Sequence, residues 1–170
     1  RSSDLPNNKV LYLTESARIN VPDVCRDLMD VGAWPHIKPM LLTSGSNYTY
    51  LETDPETGEE KLVELTSPKP SVRKAIFDSG EWPEGHDIVI SNYSQFRSGE
   101  DKPTTQWLHS ALGPNVMLIQ DEAHNALNEN SMQGKNIRGA IAAIGRPQNI
   151  VFGTATPTRD PSGLSLYAPL

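Results

Sequence analysis

Asn115-Val116-Met117-Leu118-Ile119-Gln120-Asp121-Glu122-Ala123-His124 decides the fold: an apolar run that ends abruptly in two carboxylates. A strand apolar along its whole length belongs in the interior of a parallel sheet, because there both of its faces lie under helices. Ligands of such sheets bind beyond the carboxyl ends of the strands, so Asp121 and Glu122 fall where a ligand is expected.

Similar runs recur on either side, at Lys9-Val10-Leu11-Tyr12-Leu13-Thr14, Pro39-Met40-Leu41-Leu42-Thr43, Asp87-Ile88-Val89-Ile90-Ser91 and Gln148-Asn149-Ile150-Val151-Phe152. Helices are expected between them. One begins at Pro22 and turns Val24, Leu28 and Val31 inward, one covers 106–112 and is closed by Gly113-Pro114, and one covers 136–144. Tyr48-Thr49-Tyr50-Leu51 and Lys61-Leu62-Val63-Glu64-Leu65 flank the turn residues Asp54-Pro55-Glu56-Thr57-Gly58, which predicts a β-hairpin near 48–65. The expected fold is α/β: a mainly parallel central sheet covered by helices, with one inserted hairpin.

The chain's 170 residues suffice for one domain with one core. No run approaches the length of a membrane span, and Arg1-Ser2-Ser3-Asp4 is unlike a secretory signal, so an intracellular setting, cytoplasmic or nuclear, is expected. Cys25 is the only cysteine and is read as a small core residue, with no disulfide and no zinc-ligand spacing. A net charge of −6 argues against a generally basic nucleic-acid surface but leaves room for a local path, for which Arg18, Arg73, Lys74, Arg97 and Lys102 are the candidates. Trp34, Trp82 and Trp107 read as packing residues rather than base-stacking ones. The missing initiator Met and the ending Ala168-Pro169-Leu170 suggest a segment of something longer.

The chemistry follows from residue type. An Asp at the end of an apolar strand suits a magnesium ion that bridges phosphates through water, and the adjacent Glu122 can polarise an attacking water. His124 can bond a neighbouring loop. Gly153-Thr154-Ala155-Thr156-Pro157 closes the next strand, where Thr154 and Thr156 can exchange hydrogen bonds with the acidic motif and Gly153 allows close backbone approach. Taken alone, an acidic turn with a satisfied histidine would account for the first motif, and a structural turn for the second.

Together, in this order and with strand-helix-strand between them, the two motifs resemble motifs II and III of superfamily-two helicases and translocases. Leu11-Tyr12-Leu13-Thr14-Glu15-Ser16 resembles motif Ia and Ile90-Ser91-Asn92-Tyr93-Ser94-Gln95-Phe96 resembles motif Ib. The pairing of Asp121-Glu122-Ala123-His124-Asn125-Ala126 with the Gly-Thr-Ala-Thr-Pro turn resembles strawberry-notch-like and Swi/Snf-like proteins more than processing RNA helicases. The resemblance implies that residues 1–170 are part of one RecA-like ATPase domain. ATP and Mg2+ would be its cofactors, with Asp121, Glu122 and His124 at the nucleotide, Asp121 and Glu122 catalytic, and His124, Gly153, Thr154 and Thr156 coupling. Thr14, Ser16, Ser91 and Asn92 would touch nucleic acid, DNA or alternatively RNA, and Arg159 would face either nucleotide or nucleic acid.

A phosphate-binding loop, Gly-x-x-x-x-Gly-Lys-Ser/Thr, does not occur; Gly134-Lys135 has Glu129 and Asn136 at the positions that would need Gly and Ser or Thr. In the family that loop precedes motif Ia, and a second RecA-like domain follows motif III. The expected function is therefore an ATP-driven nucleic-acid helicase or translocase core whose isolated fragment is inactive. The alternatives are the motor segment of a restriction-modification enzyme and a non-hydrolysing nucleic-acid-binding scaffold.

Overall fold

The computed structural model describes residues 9–15, 17–30, 37–44, 47–54, 56–126, 128, 130–145 and 147–154. Among these residues seven strands and four α-helices follow in order: β1 (Lys9–Thr14), α1 (Ala17–Asp30), β2 (Pro39–Leu41), β3 (Asn47–Thr53), β4 (Glu60–Thr66), α2 (Pro70–Ser79), β5 (Ile88–Asn92), α3 (Pro103–Ser110), β6 (Val116–Asp121), α4 (Met132–Ile144) and β7 (Ile150–Gly153). Five of the strands form one sheet in the order β2-β5-β1-β6-β7, and every pair in it is parallel. β3 and β4 form the separate antiparallel hairpin expected near 48–65. Among the described residues no helix is long and apolar enough to cross a membrane.

Strand alternation sorts the core into two layers. Leu11 and Leu13 of β1, Val89 of β5 and Val116 and Leu118 of β6 pack with Trp107, Leu108, Ile137 and Ile141 of α3 and α4. The opposite faces of β1, β2 and β5 pack through Val10, Tyr12, Leu41, Ile88 and Ile90 against Val21 and Cys25 of α1 and Tyr48 and Tyr50 of the hairpin. The sheet thus has helices on both faces, as its apolar strands require.

Trp107 is the centre of the first layer. Its ring stacks on Phe96 at 6.3 Å and on Trp82 at 6.3 Å, meets Phe77 edge-on at 5.7 Å, and its Nε1 donates to Glu81 O at 2.8 Å. Trp82 and Trp107 are packing residues as expected; Trp34 lies outside the described residues. Asn136, 1% exposed, shares its amide hydrogens among Phe96 O, Ser98 O and Thr105 Oγ1 at 2.8, 2.9 and 3.2 Å, so one side chain ties α4 to both neighbouring segments. α3 and α4 meet at Gly139, where a Cβ would sit 2.5 Å from His109 Nε2.

All four helices differ from expectation. α3 runs over Pro103–Ser110 rather than 106–112, because Pro103 starts it a turn earlier and Ala111 caps it. α1 starts at Ala17, with Pro22 inside it rather than at its first turn. That placement gives up one backbone hydrogen bond, and burial of Val21 and Cys25 against the sheet outweighs it. α4 starts at Met132 because Ser131 caps it, its Oγ accepting from Gly134 N at 3.0 Å. α2 was not expected; it opens on Pro70, ends at Gly80 with φ 68°, and buries only Phe77.

Gln120 is fully buried, and neither atom of its amide has a hydrogen-bond partner. An unpaired buried amide costs about 1–3 kcal/mol. Gln120→Met should therefore raise the urea midpoint, by an amount equivalent to about 1–2 kcal/mol; a lowered midpoint would mean that water satisfies the amide in solution.

Cys25 is also fully buried, and burial pushes its thiol from an ordinary 9.0 up to about 11. The fold favours the neutral thiol, while the unfolded chain ionises first. Stability from this group is complete below pH 9.0 and is lost as pH rises from 9.0 through about 11. Tyr12, pushed up to about 12 by burial and then by the charges of Asp121, Asp27 and Asp23, extends the loss further. Urea midpoints taken from neutral pH to pH 11 should fall above pH 9, with the first part of the fall missing in Cys25→Ala.

Candidate active site

β6 carries Asp121 to the carboxyl edge of the sheet, with Asp121 in register with Gly153 of β7. Immediately after it, Glu122 has φ 51°, the one non-glycine residue with positive φ among the described residues. An L-residue in the left-handed region is strained, and such strain gathers at functional sites because the surrounding structure has to hold it. Ala123 follows, fully buried, and opens a short 3-10 turn over Ala123–Ala126. The two carboxylates are half-buried rather than sealed in.

The two motifs are joined through one ring nitrogen. His124 Nδ1 lies 3.1 Å from Glu122 Oε2 and 3.2 Å from Thr154 Oγ1. A carboxylate only accepts, so the Glu122 contact assigns the proton to Nδ1, leaving the Thr154 hydroxyl as the second acceptor. This is the bridge between the acidic motif and β7 that the sequence led one to expect for Thr154. Thr156 lies outside the described residues.

Asp121 is held from two sides. Thr14, fully buried at the end of β1, donates from Oγ1 to Asp121 Oδ2 at 3.1 Å. Tyr93, at the start of the short turn after β5, donates its hydroxyl to Asp121 O at 3.0 Å. Sequence reasoning assigned Thr14 to nucleic acid and did not single out Tyr93; the structure brings both to the acidic strand end. Ser91 is likewise fully buried, with its Oγ donating to Leu42 O at 2.6 Å, so neither Thr14 nor Ser91 offers its side chain to solvent. Asn92 is half-buried at the same edge, and Ser16 lies outside the described residues.

No protein-family model matches the chain, and no curated protein matches it.

At Gly153 a Cβ would be 3.6 Å from Gln120 O and 3.9 Å from Asp121 Cα, which is ordinary contact. Against β6, therefore, a side chain at this position would fit without displacing its neighbours. Among the described residues no three His, Cys, Asp or Glu side chains lie close enough to form a metal cage. The half-buried oxygens of Asp121 still suit a hard cation of the kind held by one or two carboxylates, with phosphate and water filling its remaining positions.

Of the basic residues, Arg73, Lys74 and Lys102 line one open cavity of about 350 Å³ with Gln95, Ser98 and Thr104. It runs along α2 from Pro70 to Asp78 and reaches the first turn of α3, with Gln95 from the segment that follows the carboxyl end of β5. Arg73 Nη1 donates to Thr43 O at 2.7 Å, and Lys74 pairs with Asp78. Arg97 turns elsewhere, its Nε donating to Gln133 Oε1 at 2.9 Å. Arg159 and the side chain of Arg18 are outside what is described.

Proposed function

We propose that this chain is the part of a RecA-like ATPase domain that carries the acidic motif of a nucleic-acid helicase or translocase. The observation that carries the reading is the constellation at the end of β6. Asp121 is braced by Thr14 and Tyr93, Glu122 is held in a left-handed conformation, and His124 connects Glu122 to Thr154, the residue directly after the next strand.

In this reading Asp121 would hold magnesium, which would supply charge neutralisation on the phosphates. Glu122 takes a proton from the attacking water while the oxygen of that water bonds to the γ-phosphorus. The bond to the bridging oxygen breaks, and ADP leaves with the electron pair. His124 and Thr154 pass the position of the Glu122 carboxylate to β7, which makes them coupling residues. Thr14 is a positioning residue for Asp121. The cavity at Arg73, Lys74 and Lys102 supports a phosphate path. A phosphate-binding loop would have to be supplied from outside residues 1–170, since two carboxylates alone repel a polyphosphate.

The test is ATP hydrolysis by the protein that contains this chain, alone and with DNA or RNA. Stimulation by one polymer supports the motor and identifies the track. Absence of turnover with either polymer sinks it in favour of a scaffold.

A further inference from the structure

The β3–β4 hairpin accounts for most of the chain's net charge. Between Asn47 and Thr66 stand Glu52, Asp54, Glu56, Glu59, Glu60 and Glu64 against the single Lys61, so this one hairpin accounts for −5 of the net −6. The remainder of the chain is nearly neutral. One face of the hairpin is occupied: Tyr48, Tyr50, Val63 and Leu65 pack on α1 and the sheet. The other face is exposed along its length and presents Thr49, Leu51, Leu62 and Glu64. Leu62 at 65% and Leu51 at 54% are the two most exposed large apolar residues described, and they are direct cross-strand partners.

Two leucines side by side on an outward sheet face form one apolar spot, because directly opposed side chains touch. On the same face Glu60 and Glu64 flank Leu62, opposite Thr53 and Thr49, so the spot lies between two carboxylates, the form of an interaction site. Their sign selects the partner. A polyanion is repelled, and a basic segment is drawn in from a distance and then held by apolar contact. The base of the hairpin is also fixed: Ser67 Oγ donates to Thr43 O at 2.7 Å and to Leu41 O at 3.2 Å, so the face is carried on a braced support.

We propose that the outer face of the β3–β4 hairpin docks a protein segment rich in lysine or arginine that places apolar side chains on the Leu51–Leu62 pair. This site is separate from the sheet edge that carries Asp121, and it stands or falls independently of ATP hydrolysis.

The probe is a fluorescein-labelled Lys-Lys-Leu-Lys-Leu-Lys-Lys peptide titrated with the whole chain at physiological salt, followed by anisotropy. A serine-for-leucine peptide and a lysine-only peptide serve as comparisons. Saturable binding is expected, weakened at least about tenfold by Leu51→Thr with Leu62→Thr and by Glu60→Gln with Glu64→Gln, with both comparison peptides binding at least about tenfold less well. All four positions are exposed, so circular dichroism of the variants should match that of the parent chain. Equal binding of the serine peptide, or indifference to the leucine changes, overturns the proposal. So does sedimentation showing that the chain dimerises through this face, with the dimer lost in the leucine variant and no peptide bound.

Discussion

On the ATPase reading proposed above, Glu122→Gln is expected to reduce ATP hydrolysis by the protein containing this chain by a factor of about 10²–10⁴, with ATP binding and nucleic-acid binding retained. Glutamine keeps the length and shape of the side chain, and its amide oxygen can still accept from His124 Nδ1, now 3.1 Å from Glu122 Oε2. What it cannot do is take a proton from water. The left-handed backbone at φ 51° is no harder for Gln than for Glu, so the variant should fold as the parent does. A steady-state phosphate-release assay beside a nucleotide-binding titration separates the two effects. A variant that binds ATP and still turns over at a tenth of the parent rate or more would remove Glu122 from the chemistry.

The second large effect is on stability. Trp107→Ala should cost about 3–5 kcal/mol, out of the roughly 5–15 kcal/mol that holds a domain of this size folded. Trp107 is fully buried, and its ring contacts Phe77, Trp82 and Phe96 at once. Truncation removes the packing of all three and leaves Glu81 O without the donor that reaches it at 2.8 Å. Trp107→Phe keeps the stacking but not the hydrogen bond and should lose roughly half as much. Urea unfolding of the two variants measures both terms. A loss below about 1.5 kcal/mol for alanine would show that the layer closes around the vacancy.

Much of this architecture was readable because burial on both faces leaves an unmistakable apolar run. Val116–Ile119 and Ile88–Ile90 could not be surface strands, and the hairpin announced itself through Asp54–Gly58. Helices written in caps and context were harder. α2 is short and largely exposed, so it carries little periodic signal, and the start of α4 depends on one Ser131 hydrogen bond. At the site, the acidic pair and the His124 to Thr154 bridge follow from positions on adjacent strand ends. The Thr14 contact joins residues 107 apart and the Tyr93 contact residues 28 apart, so neither exists until the strand order is known. From sequence alone Thr14 could be read only through its resemblance to motif Ia, because its partner Asp121 is not near it in the chain.

The strand order has a further consequence, for how the chain comes off the ribosome. β1 is made first among the strands, yet it lies between β5 and β6, the latter bringing Asp121 to Thr14 from 107 residues downstream. At a synthesis rate of roughly 5–20 residues per second, β1 waits on the order of 10 s for its second neighbour. β5 and α3 follow sooner and begin the layer over Leu11 and Leu13, but for the whole interval the other edge of β1 stays open to any other nascent chain. Efficient production of this fold therefore depends on what shields its first strand until its last third has been translated.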